Sequence, residues 1–131
     1  MPARPRVGPA WEAFQAASEA RRLDVHDAAK AAALVAARTA LDEALVDVLA
    51  RVPYRTRRVA ELRPGRDGGQ VHLAVNGDAA IEGWRRAAGQ TLCGTPPGRF
   101  AGDRAVSCAA CLRLLDRHVD LELDPPELGL F

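Results

Sequence analysis

The stretch AVSCAACLRLL, residues 105–115, sets Cys108 and Cys111 three positions apart in front of a run with helical apolar spacing. A two-residue gap lets both sulfurs reach one cation where a turn enters a helix. The free N–H groups and positive dipole of that helix end favour the thiolate form. The third cysteine of the chain, Cys93, sits in QTLCG (90–94), and His72 sits in VHLAVNG (71–77). In VHLAVNG, Val71, Leu73 and Val75 alternate with His72 and Ala74, which reads as a strand, and Asn76-Gly77 reads as a tight turn.

Zinc binds thiolate and imidazole in a tetrahedron. The spacing His72, twenty residues, Cys93, fourteen residues, Cys108, two residues, Cys111 supplies four such groups. This predicts a Zn2+ site built from His72, Cys93, Cys108 and Cys111. Three other residues compete for the fourth position. His118 would lie two helical turns from Cys111, about 10 Å away by helix rise, and its place is near the helix end, where positive charge suits the dipole. His26 falls in an alanine-rich helix and faces solvent, and Asp103 reads as a solvated loop carboxylate. Gly94 frees the backbone after Cys93 so that amides can point toward sulfur.

Three thiolates and one imidazole close the shell and leave no position for a catalytic water, so the site reads as structural. Zinc deaminases need H-x-E and P-C-x-x-C. Here Ala74 stands two after His72, and Ser107 precedes Cys108. A redox C-x-x-C is disfavoured because no thioredoxin-like pattern precedes it. The sequence shows no Ser–His–Asp spacing, phosphate-cradling glycine loop or paired-carboxylate pocket, and the expectation is a protein that is not an enzyme.

The segments VHLAVNG, GQTLCG and RAVSCAACLRLL together resemble a set of small actinobacterial zinc-finger proteins with a strand histidine, an L-C-G and a late C-x-x-C-x-x-L. The likeness covers about residues 70–119. It implies that His72, Cys93, Cys108 and Cys111 occupy ligand positions, and it implies no activity.

Upstream, Pro9 suits a first helical position, and Trp11, Phe14 and Ala17 or Ser18 recur at helical spacing, predicting a helix over about 9–22. Asp24 can cap a second helix running toward Val52, because Pro53 disfavours helix in the residue before it. Its apolar stripe is Leu34, Leu41, Leu45, Val48 and Val52. That stripe is either core or an interaction face for a second copy or a protein partner. Whether residues 9–52 form one long helix or a helical hairpin is open at this level.

Residues 53–69 read as a basic linker. From residue 51 to 66 the chain holds Arg51, Arg55, Arg57, Arg58, Arg63 and Arg66 against one acid, Glu61. Such a run could contact nucleic-acid phosphates, with a steep salt dependence, or could be solvated and pair with the acidic tail. Asp78 is expected to cap a short helix over 79–88 closed by Gly89, with Gln90–Cys93 as a second short strand. Trp84 and Phe100 are expected to pack over the zinc hairpin. Residues 1–8 read as a disordered arm and 120–131 as an acidic tail.

The whole chain of 131 residues carries a net charge of +1, which by itself predicts no partner. Hydrophobic residues reach 48%, but much of that is alanine and aromatics are 5%, so the core is thin and a metal staple or partner chain would support it. No segment approaches the ~20 apolar residues of a membrane span. Three cysteines without a secretory leader fit reduced thiols in the cytoplasm. The expected fold is α+β: an N-terminal helical hairpin or long helix over 9–52, then a small treble-clef-like zinc-binding β-hairpin plus helix over 70–119.

Overall fold

The computed structural model describes residues 5–61, 70–81, 84–94 and 98–120, the side chains of Ile81 and Trp84 excepted. The chain is α+β, with two N-terminal helices, a small antiparallel sheet and a C-terminal helix. Helix α1 spans Gly8–Leu23 and α2 spans Ala28–Leu49. The break between them is real. Asp27, in extended conformation, caps α2 by accepting from the Lys30 amide at 3.0 Å. Asp24, the expected cap, instead ends α1, and its carbonyl accepts from the Asp27 amide at 3.2 Å. The helices therefore form an antiparallel pair.

The expected disordered arm is tied down where it is described. Val7 is fully buried, and the amides of Val7 and Gly8 donate to the two carboxylate oxygens of Asp116 at 2.8 and 2.9 Å. Asp116 lies on α3 (Ala109–Asp120), so the last helix caps the first. A carboxylate there satisfies two orphan donors and opposes the positive end of the α1 dipole. Residues 1–4 and 121–131 lie outside the described residues; of the expected acidic tail over 120–131, Asp120 is the last residue of α3.

Strands β1 (Thr56–Ala60), β2 (Val71–Val75) and β5 (Arg99–Phe100) form one sheet in the order β2-β1-β5, and β3 (Ala79–Ile81) pairs with β4 (Trp84–Arg86). All pairings are antiparallel, with Val59 opposite both His72 and Phe100. The basic linker is thus partly a strand: Thr56-Arg-Arg-Val-Ala60 pairs along the whole of β2. The helix expected over 79–88 is replaced by the β3–β4 pair. Gly83 falls in mid-stretch, where helix is costly, and Ile81 and Trp84 favour extended backbone. Asp78 caps no helix; its carboxylate takes the Ala88 amide at 2.8 Å across the base of the hairpin. Residues 90–92 run beside β2 through the Ala74–Thr91 bridge and bonds from Val75 N to Gln90 O and from Leu92 N to Leu73 O.

β2 is buried at every residue. Because successive side chains alternate faces, Val71, Leu73 and Val75 enter the main core while His72 and Ala74 point to the other side. Leu41, Leu45, Val48 and Val52 of α2 and its exit meet that core, together with Leu112, Leu115 and Val119 of α3. The leucine stripe is therefore largely intramolecular core: Leu41, Leu45 and Val48 are at most 1% exposed, and only Leu34, near the hairpin tip, is half-buried. Gly98 allows the close approach of β5 to β1, since a Cβ there would fall 1.7 Å from the Ala60 carbonyl oxygen. Among the described residues, no helix is long and apolar enough to cross a membrane.

Candidate metal centre

His72, Cys93, Cys108 and Cys111 converge although they are scattered over forty positions. One ligand atom from each lies within 4.8 Å of all the others. His72 Nδ1 is 3.3 Å from Cys93 Sγ and 3.7 Å from Cys111 Sγ. A zinc tetrahedron with bonds near 2.3 Å to sulfur and 2.0 Å to nitrogen has edges of about 3.5–3.8 Å. The two His72 separations match those edges, and the four donors together form a set that could hold a metal ion.

Each ligand is placed by a different piece of local structure. His72 is fixed by the β1–β2 register. Cys93 lies on a tight turn in which the Gly94 amide returns to Thr91 O at 3.1 Å, with Gly94 at φ +86°. This positive φ is the conformation glycine adopts without strain. Cys108 and Cys111 flank the start of α3. The Ser107 and Cys108 amides both donate to Val71 O, at 3.1 and 3.2 Å, which pins that helix start beside the residue preceding His72.

Two residues not singled out as part of the site support it. Glu61 stands just past β1, and its Oε1 accepts from His72 Nε2–H at 2.9 Å. This bond fixes the tautomer that leaves Nδ1 free to bind metal, the carboxylate–histidine–metal arrangement that orients a ligand and raises its basicity. Arg86 of β4 donates to Thr91 O at 3.1 Å and Leu92 O at 3.3 Å, clamping the turn that carries Cys93. Glu61 had a faint signal as the lone acid in a basic run. Arg86 had none, because it depends on a hairpin the sequence read as helix.

Electrostatics complete the picture. All three cysteines are free thiols, with Cys108 and Cys111 buried and Cys93 half-buried. Burial pushes the Cys111 thiol well up, and burial likewise raises Cys108. Without a cation these groups hold their protons; a dication among them would reverse that balance, since coordinating thiols deprotonate outright.

The other expected positions resolve differently. His118 is not a charged, solvated group at a helix end. It is buried, its Nδ1 lies 2.6 Å from the Tyr54 hydroxyl, and burial lowers its pKa. His26 and Asp103 are exposed. Phe100 is 76% exposed rather than packed over the site, and the Trp84 side chain lies outside the described residues. Of the arginines, Arg51, Arg55 and Arg57 are exposed, whereas Arg58 is engaged by Asp42 at 2.9 Å and by the Arg104 carbonyl at 2.8 Å. Arg63 and Arg66 lie outside the described residues.

No family model matches this chain, and neither a curated protein nor a solved structure shows detectable similarity to it. The class is therefore defined by fold and site alone: an α+β chain with a His/Cys cluster able to hold a metal ion.

Proposed function

We propose that this chain is a zinc protein whose Zn2+ is structural and whose role is to bind another macromolecule in regulation, not to catalyse a reaction. The observation that carries the zinc reading is the convergence of three sulfurs and one imidazole nitrogen within 4.8 Å. Soft sulfur-rich donor sets of this kind select zinc over magnesium, calcium or manganese. Three thiolates and His72 Nδ1 fill a tetrahedron, so water has no seat and the ion's contribution is folding energy. Zinc would join β2, the Cys93 turn and α3, three elements that otherwise share a thin core. Thiolate ligands fit a reducing compartment such as the cytoplasm.

For the partner, protein is favoured over nucleic acid. Arg58 is consumed by Asp42, which removes one member of the basic run from any phosphate-binding surface. The exposed Arg51, Arg55 and Arg57 remain accessible to phosphates and support the nucleic-acid reading as the second choice. The resemblance to small actinobacterial zinc-finger proteins agrees with the metal and leaves the partner open.

Elemental analysis of the purified chain tests the zinc reading. The expected result is one zinc per chain, lost in Cys111→Ser. A metal-free protein that stays folded and does not take up added Zn2+ would refute it. A mobility-shift assay at low salt separates the two partner classes. Binding that weakens steeply with salt would move the reading to nucleic acid.

A further inference from the structure

Burial is uneven among the four donors of the cluster. His72, Cys108 and Cys111 are buried, and Cys93 alone is half-buried. It stands on a turn and is followed by the exposed Gly94, which has no side chain to shield the neighbouring sulfur. Cys108 stands one residue before α3, whereas Cys111 lies within that helix and is fully buried. One reachable sulfur therefore faces a sheltered one carried by a second non-helical segment. Their Sγ atoms lie within 4.8 Å of each other. A disulfide needs about 2.05 Å, so they must close by at most about 2.7 Å, which side-chain rotation and a small shift of the two segments supply. A reachable thiolate beside a resolving cysteine is the arrangement of a redox-sensitive site, and a sealed cysteine is inert.

We propose that Cys93 is a site of oxidative modification, where hydrogen peroxide joins Cys93 to Cys108 in a disulfide and ejects the zinc. This rests on the zinc reading above and adds a means of regulating that site. The Cys93 thiolate attacks one peroxide oxygen and breaks the O–O bond. Cys93 becomes a sulfenic acid, and the other oxygen takes a proton from solvent and leaves as water. The Cys108 thiolate then attacks the Cys93 sulfur and expels the remaining oxygen, which a second solvent proton turns into water. Two electrons pass from the two sulfurs to the peroxide, and the zinc keeps its charge throughout.

The disulfide leaves the ion only His72 and Cys111, too few to hold it in a tetrahedral site. The folding energy of the metal is then withdrawn from β2, the Cys93 turn and α3 together. Glu61 favours the first step. Its carboxylate on His72 adds negative charge beside three thiolates already facing a single dication, which keeps the sulfurs electron-rich. Cys108 is preferred over Cys111 as the resolving sulfur because the segment before α3 can shift without disturbing the helix. In a reducing compartment such a bond is transient and reports an oxidant.

The test treats the full chain, loaded with zinc and freed of excess metal and reductant, with hydrogen peroxide. Released zinc is read with a colorimetric reporter, and each cysteine by differential alkylation and peptide mass mapping. The expected result is zinc release in step with the loss of two thiols, a Cys93–Cys108 disulfide, and recovery of the metal on adding a dithiol and Zn2+. Cys93→His keeps four donors in a two-sulfur, two-imidazole shell and should release zinc at least ~10-fold more slowly. A chain that takes up no zinc before peroxide is added overturns the zinc reading and this proposal with it. A loaded chain that keeps its zinc in peroxide overturns this proposal alone. So does release with Cys93 unmodified, or Cys93→His that loads zinc and loses it as fast as wild type. Should that variant fail to fold, the cysteine map of the wild type decides.

Discussion

Glu61 Oε1 sits 2.9 Å from His72 Nε2, so the only acid in the arginine-rich segment is the partner that orients the only histidine of the metal cluster. The contact links β1 to the site and makes the strand part of the cluster's support. Removing the carboxylate frees the ring to rotate and lowers the basicity of Nδ1. Glu61→Ala should weaken zinc binding by about 10–100-fold without abolishing it. Competition against a calibrated chelator measures this; unchanged affinity would mean the contact is incidental.

Metal removal should be a folding event. The cluster fastens β2, the Cys93 turn and α3, and β2 is the strand around which the sheet and core are built. Chelation should therefore lower the melting temperature and open amide exchange in residues 71–75 and 109–119 first. The distal part of the α1–α2 pair should respond less. Exchange mass spectrometry with and without chelator reads this directly, and uniform protection in both states would count against a structural metal.

Zinc uptake should release protons, and loading should fail as pH falls. Burial raises the Cys108 and Cys111 thiols, so the metal-free cluster enters the reaction protonated. Coordination by three cysteines then expels up to three protons at neutral pH. Calorimetry in buffers of different ionisation enthalpy counts them. A count near zero would mean that the sulfurs are not the ligands.

The convergence of His72, Cys93, Cys108 and Cys111 was legible in the sequence because donor chemistry is a property of residue type, and the chain has only three cysteines to place. The helical character of residues 9–52 was legible too, from Pro9, from the apolar spacing, and from Pro53 at the far end, whereas its division into two helices was left open and rests on the break at Asp24–Asp27. What failed were the segments whose state depends on distant partners. Thr56–Ala60 carries three polar residues in five and reads as linker; it becomes a strand because β2 and β5 flank it and because Arg58 finds Asp42 on α2. Residues 79–88 have alanines and arginines suited to helix, yet tertiary pairing prevails. His118 fell in the last turn of a helix, where the dipole argument favours exposure and charge. Nothing local revealed that Tyr54, 64 positions earlier, would cover it.

Capping of α1 by Asp116 offers a test of long-range order. The carboxylate accepts two amides at the start of α1 from a helix more than a hundred residues later. Asp116→Ala leaves both donors seeking water and removes a negative charge from the positive helix end. A loss of about 1–2 kcal/mol is expected from denaturant titration. Asp116→Asn should recover part of it, since one amide oxygen can still accept. If the alanine variant is as stable as wild type, the α1–α3 contact contributes nothing net.

The buried pair of Tyr54 and His118 sets a second acid limit, separable from the metal. Burial lowers the His118 pKa in the folded chain, with Arg117 adding a smaller push in the same direction. An unfolded histidine titrates at about 6.5. Above that pH both states hold a neutral ring and the group adds no slope. Below it the unfolded chain binds a proton that the folded chain refuses, so stability is lost as pH falls from about 6.5 toward the lower folded value. Zinc loss acts in the same direction, so the comparison must be made at constant metal content, followed with a colorimetric zinc reporter. His118→Gln keeps a polar atom for the Tyr54 hydroxyl but cannot take the proton, and it should flatten the stability profile between pH 7 and the onset of zinc release. If the variant falls as steeply as wild type across that window, His118 is not the titrating group, and the acid sensitivity belongs to the metal cluster alone.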